Sequence, residues 1–156
     1  MILSVPHTGT RFLAQLTGYD HMHSYEYKTP QQVMSDNGGE VLISPLRDPR
    51  KVYGTWSARY KDGNSWVMDP SHPKSMESAW RGLAALDKEL DIIYIPVDSP
   101  GRSLQLRLLS DKMGVPLRTN WEPKGQFQPE EERPEPPPRD LTWIYELPMV
   151  SRWYQE

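Results

Sequence analysis

The sequence predicts an α/β fold: one parallel sheet with helices on both faces, a three-layer arrangement. Three observations carry that expectation. Short apolar runs at Met1–Val5, Val41–Ile43 and Asp91–Val97 alternate with stretches whose apolar residues recur at helical spacing. The run Ile92-Ile93-Tyr94-Ile95 is almost continuously apolar, as suits a parallel strand covered on both faces. Each run leads through a turn into a helical pattern, and such βα alternation builds parallel sheets.

Taken in order, Met1–Val5 reads as a strand and Pro6–Thr10 as a turn. Phe12, Leu13 and Leu16 then mark a helix that ends near Gly18 and Asp20. His21–Tyr27 reads as a short strand and its exit, with Tyr25 and Tyr27 on one face and Ser24 and Glu26 on the other. Thr29-Pro30 opens a short capped helix closed by Asp36-Asn37-Gly38-Gly39. After the Val41 strand, Asp48-Pro49 pairs an N-cap with proline at the first helical position, predicting a helix to about Lys61. Residues 63–74, with Trp66, Pro70, His72 and Pro73, carry few regular signals; this loop is expected to line an acceptor pocket or pack on the surface. Met76, Ala79, Trp80, Leu83, Ala84 and Leu90 give a helix over 75–90, and Leu104, Leu108, Leu109 and Met113 another, closed by Gly114 and Pro116.

The last fifth changes character. Residues 128–138 are rich in Pro and Glu and cannot pack a core, so they are expected to be extended. Leu141, Ile144, Tyr145, Met149, Trp153 and Tyr154 then form an apolar helical pattern interrupted at Pro148, which docks on the domain or makes a dimer contact. The expected division is an α/β domain over 1–127, an extended segment over 128–140 and a docking tail over 141–156.

Composition narrows the function. At 156 residues the chain is one domain with room for a core. It has no Cys, which removes disulfides and thiolate metal sites. A net charge of −3 argues against broad binding to nucleic acid, although a local basic pocket can still hold one phosphate ligand. No apolar run approaches the ~20 residues of a membrane span. The N-terminus lacks the basic and apolar regions of a signal peptide, so a cytoplasmic protein with no membrane partner is expected, as monomer or homodimer.

Two stretches carry chemistry. In Pro6-His7-Thr8-Gly9-Thr10-Arg11 a strand breaks at small residues and re-enters as a helix, the recipe for an anion cradle. Loop amides and the helix N-terminus aim N–H groups at one spot. Thr8 and Thr10 offer hydroxyls, Gly9 allows close approach, and Arg11 adds charge. The loop is not GxxxxGK[ST], so ATP or GTP binding loses its main support. In the second stretch Arg47 stands at a strand's C-terminal end, with Thr55 and Ser57 on the helix that follows. Ligand crevices of open α/β sheets lie outside those strand ends.

Together the stretches resemble the sulfotransferases that use 3′-phosphoadenosine-5′-phosphosulfate (PAPS), in motif style the carbohydrate enzymes of the heparan sulfate type. Pro6–Arg11 is similar to that family's first-strand P-K-x-G-T-[TR] loop. Leu46-Arg47-Asp48-Pro49 is similar to its R-[DN]-P strand end, and Thr55 holds the plus-eight hydroxyl position. The resemblance covers roughly a third of the chain. It implies a trimmed sheet of the P-loop nucleoside-triphosphatase type, PAPS as co-substrate without a metal, and a small-molecule or carbohydrate acceptor. It implies that Thr8, Gly9, Thr10 and Arg11 hold the 5′-phosphosulfate and that Arg47 and Thr55, with Ser57 as alternate, hold the 3′-phosphate. Lys124-Gly125, near Phe127, loosely resembles a loop that closes over the nucleotide. His7 replaces the family's lysine, and only imidazolium would supply the same charge.

Sulfuryl transfer to a hydroxyl needs a base, which the resemblance places just after the first helix; Glu26 is the choice there, with His23 and His21 as rivals. His21 and His23 form an HxH pair without a third ligand at useful spacing, so no metal site is expected. The rival functions are a nucleotide kinase or nucleotidase on the same kind of loop, and a non-catalytic nucleotide-binding protein.

Overall fold

The computed structural model describes residues 1–26, 29–118 and 133–156. Its centre is a four-stranded parallel sheet of β1 (Ile2–Ser4), β2 (His21–His23), β3 (Ile43–Leu46) and β6 (Ile93–Pro96), in the order β2-β1-β3-β6. Ile2 stands opposite His21 on one side and Ile43 on the other, and Ile43 opposite Ile93. Helix α1 (Thr10–Thr17) carries the chain from β1 to β2, and α2 (Pro30–Asn37) carries it back past β1 to β3. From β3 it runs through α3 (Pro49–Ser57), a hairpin of β4 (Ala58–Asp62) and β5 (Ser65–Met68), and α4 (Ser71–Asp87) to β6, and then into α5 (Arg102–Met113). The chain therefore leaves β1 to one side and β3 to the other, which makes the β1/β3 boundary the topological switch point.

Alternation along the strands splits the core in two, as a covered sheet requires. Ile2, Ile43, Ile95 and Val97 pack with Phe12 and Leu13 of α1 and Leu106 and Leu109 of α5. Leu3, Val5, Leu42 and Leu46 face the other way, against Val52 and Trp56 of α3 and Met76, Trp80 and Leu83 of α4. The α/β class with a parallel, helix-covered sheet is therefore present.

Local chemistry explains the helix starts. Thr29 and Gln32 form a reciprocal capping box at α2, with Pro30 at the first position. The Asp48 carboxylate accepts the Arg50 N–H at 3.1 Å at the head of α3, ahead of Pro49.

Three boundaries differ from the sequence expectation. The helix after Arg47 stops at Ser57 because Asp62-Gly63-Asn64-Ser65 turns a hairpin, with Gly63 at φ 62° and Asp62 opposite Ser65. Residues 63–74, expected as loop, thus hold β5 and the first turn of α4, where Pro73 is tolerated because first-turn amides need no helical acceptor. The second strand ends at His23 and gives way to a single 3₁₀ turn, Ser24–Glu26. That turn buries Ser24, whose hydroxyl donates to the Ala79 carbonyl at 2.7 Å, and leaves Tyr25 52% exposed. It can dock because a Cβ on Gly82 would stand only 3.2 Å from the Ser24 carbonyl oxygen. The C-terminal pattern is interrupted at Pro148 as expected: it forms two short helices, α6 (Thr142–Tyr145) and α7 (Pro148–Ser151), split where Pro148 lacks an N–H.

The tail packs inward. Leu141, Ile144, Tyr145, Met149, Val150 and Tyr154 join the same core as Leu3, Leu46 and Trp80. The chain before it is pinned as well. Arg139 makes two bonds to the Glu77 carboxylate of α4, at 3.0 and 2.8 Å, and Tyr53 donates to the Pro137 carbonyl. Arg133 bonds the Ala58 carbonyl and lies over Trp66, which Lys61 also approaches.

Candidate functional site

The C-terminal ends of β1 and β3 open at the switch point, and the two predicted stretches meet there. Val5–Gly9 connects β1 to α1. Its backbone is unusual: Gly9 sits at φ 111° and His7 at φ 68°, the one non-glycine with positive φ among the described residues. Left-handed residues thus stand on either side of Thr8, and backbones that alternate in hand are the kind that form anion-binding concavities. Holding a histidine in this region costs of order 1 kcal/mol, a strain that clusters at functional sites.

Gly9 is needed on two counts. An L side chain is strained at its φ, and a Cβ would lie 2.9 Å from a methyl of Val97 at the end of β6. Gly9 also precedes α1 as its cap and has no side chain to offer the helix's first-turn amides. Thr10 follows, with its Oγ1 buried and lacking a hydrogen-bond partner among the described residues. Buried hydroxyls are rarely left so, and a bound anion would satisfy this one. The Thr8 hydroxyl instead donates to the Val5 carbonyl at 2.6 Å, so it shapes the loop from within. Arg11 is exposed on the first turn.

Arg47 joins this loop to the second stretch. Its guanidinium donates to the His7 carbonyl at 3.4 Å and to Thr55 Oγ1 at 3.3 Å. The eight-residue spacing now has a physical reason. Arg47 leaves the end of β3, α3 starts two residues later, and Thr55 lies far enough along α3 to meet the returning side chain. The Thr55 hydroxyl donates onward to the Lys51 carbonyl at 3.1 Å. Trp56, one residue on, donates from Nε1 to the Pro6 carbonyl at 3.2 Å and stands edge-on to the His7 ring at 5.4 Å. Ser57 is 3% exposed, with its hydroxyl unpartnered among the described residues. A groove of about 180 Å³ runs beside Thr55, lined by Lys51, Gly54, Arg133 and Pro134–Pro136.

The base candidates sit one strand over. Ser4 pairs with His23 in register, and Ser4 Oγ lies 3.3 Å from His23 Nδ1. The Glu26 carboxylate accepts the His23 backbone N–H at 2.7 Å, and the His23 and Tyr25 rings stack at 5.5 Å. His21 is exposed, its ring 5.9 Å from that of His23. Among the described residues no group of three or more His, Cys, Asp or Glu could hold a metal ion. Lys124 and Gly125 lie outside the described residues.

Several groups here escaped the sequence reading. Asp98 follows β6 and gathers the Asp48 N–H at 3.2–3.3 Å, the Tyr154 hydroxyl at 2.5 Å and the Lys51 ammonium at 3.5 Å. Tyr145 donates to the Asp48 carboxylate. Burial, then the hydrogen bond to a carboxylate, pushes both tyrosine hydroxyls well above their ordinary pKa, so both remain donors. Arg102, at the head of α5, donates to the Val97 carbonyl at 3.1 Å and lies over Phe12. The signal for Asp98 was its place directly after an apolar strand; nothing in the sequence pairs it with a tyrosine 56 residues away.

No helix among the described residues is long and apolar enough to cross a membrane. Comparison with family models, curated proteins and solved structures gave no match.

Proposed function

We propose that the protein is a PAPS-dependent sulfotransferase with a trimmed sheet of the P-loop type. It acts in the cytoplasm, where that donor is available, on a hydroxyl or amine of a small-molecule or carbohydrate acceptor. The observation that carries this reading is the Arg47 guanidinium bonded to both His7 of the first loop and Thr55 of α3. One cation thereby ties a loop suited to a phosphosulfate to a helix suited to a second phosphate.

The acceptor oxygen or nitrogen attacks sulfur in line, its proton passes to a base, and the bond from sulfur to the 5′-phosphate oxygen breaks. Adenosine 3′,5′-bisphosphate leaves. The chain's part is positioning and charge stabilisation, as in phosphoryl transfer. Thr10, the amides around Gly9 and Arg11 face the sulfate and 5′-phosphate. His7 as imidazolium supports the bridging oxygen in place of a lysine. Arg47 and Thr55 read the 3′-phosphate, with Ser57 as alternate.

Calorimetry with adenosine 3′,5′-bisphosphate, AMP and ATP tests the reading. A charge-assisted contact is worth about 1.5–3 kcal/mol, so the bisphosphate should bind about tenfold or more tighter than AMP. Equal affinities would remove the 3′-phosphate assignment. One observation favours a second reading: the Asp98 carboxylate lies just past β6, against the Asp48 N–H at the strand ends, where a magnesium-dependent kinase keeps an acidic group. Turnover that requires magnesium and ATP would establish the kinase, and nucleotide binding without turnover across many acceptors a non-catalytic binder.

A further inference from the structure

Arg47 is only as well placed as the turn that carries it, and that turn is two residues long, between the last residue of β3 and Pro49 of α3. Each backbone group flanking it is held from outside. The Leu46 carbonyl accepts the Val97 N–H at 2.8 Å and lies 3.2 Å from the Tyr154 hydroxyl. The Asp48 N–H goes to Asp98, which Tyr154 also engages at 2.5 Å. The Asp48 carboxylate takes the Arg50 N–H and the Tyr145 hydroxyl, and that same hydroxyl accepts the Arg50 N–H at 3.1 Å. Arg50 in turn pairs with Glu156 at 2.8 Å. Besides His7 and the residues that follow β6, the turn and the head of α3 are thus held by Tyr145, Tyr154 and Glu156, about a hundred positions away.

We infer that Tyr154, acting through Asp98 and supported by Tyr145, is a positioning residue for Arg47 and so sets the preference for a nucleotide bearing a second phosphate. The inference rests on the nucleotide reading proposed above. A core residue of the tail adds stability wherever it lies. Tyr154 does something more local: its hydroxyl spans the end of β3 and the carboxylate that fixes the next peptide but one. Without that hydroxyl, Asp98 is free to turn fully to Lys51, and the Asp48 amide loses its fixed acceptor. The Arg47 guanidinium then samples positions away from His7 and Thr55.

The test compares wild type with Tyr154→Phe, Asp98→Asn and Val150→Ala, using adenosine 3′,5′-bisphosphate and AMP as probes in calorimetry and thermal unfolding alongside. Tyr154→Phe should weaken bisphosphate binding about three- to tenfold and leave AMP within about twofold. Asp98→Asn keeps the shape, weakens the acceptor and should reproduce the loss even if Tyr154→Phe folds poorly. Val150→Ala loosens tail packing without touching either hydroxyl; it should lower the melting temperature and keep the bisphosphate-to-AMP ratio of wild type. Unchanged ratios in Tyr154→Phe and Asp98→Asn would overturn the inference, as would an equal loss of ratio in Val150→Ala. A wild type that does not discriminate between the two nucleotides would instead overturn the underlying reading, before any variant is compared.

Discussion

At the scale of single residues, the base that the proposed sulfuryl transfer requires is chosen by what each candidate already holds. The Glu26 carboxylate accepts the His23 N–H, and the His23 ring leans on the Ser4 hydroxyl. Both sit at the end of β2, beside the strand that feeds the anion loop. Glu26→Gln keeps an oxygen to accept the His23 N–H, so the turn survives while the capacity to take a proton is lost. It should lower kcat by about 10²–10⁴-fold with little change in nucleotide affinity, whereas His23→Asn should do much less. Steady-state kinetics with a turned-over acceptor decides it; the reverse pattern makes His23 the base. Much of this scale was legible in advance. His7, Thr10, Arg47 and Thr55 stand out in the sequence by type and spacing, and the structure brings Arg47 to both His7 and Thr55. The inward turn of the Thr8 hydroxyl was not, since a threonine in a loop bonds outwards or back to its own carbonyls with equal ease.

Between elements, the first loop is wedged against the end of β6. Gly9→Ala adds a methyl 2.9 Å from Val97 and strains a backbone at φ 111°, so it should cost about 1–3 kcal/mol in urea unfolding. The pair Gly9→Ala with Val97→Ala separates the two causes. If the clash dominates, the double variant loses less than the sum of the singles; if the φ strain dominates, the losses add. Several element boundaries were also open to sequence reasoning: Asp48-Pro49 and Thr29-Pro30 start helices where the residues said they would. The β4–β5 hairpin was missed although its Asp62-Gly63 signal was present, because the preceding apolar spacing continued a helical pattern. Ser24 was misplaced for a different reason. Its burial depends on Gly82 of α4, a contact that no local window contains.

For the whole molecule, the chain after residue 133 ties the layers together, and one tie is titratable. The Arg139 guanidinium beside Glu77 holds that carboxyl below its usual range by hydrogen bonding first and charge second, against the opposing effect of burial. A carboxyl depressed in the folded state contributes stability above its unfolded value, and that contribution is lost as pH falls through the folded value. Arg139→Met should therefore cost about 1–2 kcal/mol near neutral pH. The gap to wild type should narrow as pH falls below the ordinary carboxylate range and through the depressed folded value, where Glu77 takes up its proton in the folded state as well. Unfolding curves at pH 7 and pH 3.5 check the sign; a constant gap would mean that the arginine acts through packing alone.

The sequence by itself determined the α/β class, the parallel covered sheet, and the two stretches that meet at the strand ends. It could do so because strand burial, helix caps and turns are written in residues close together along the chain. Tertiary structure decided what joins them. Strand order β2-β1-β3-β6 puts the ends of β1 and β3 side by side, so Arg47 reaches His7 across 40 residues of chain. It also brings Tyr145 and Tyr154 onto Asp48 and Asp98 from the far end of the chain. Those contacts follow from how the layers stack, and a periodic pattern in one segment holds no record of the side chain that will arrive from another.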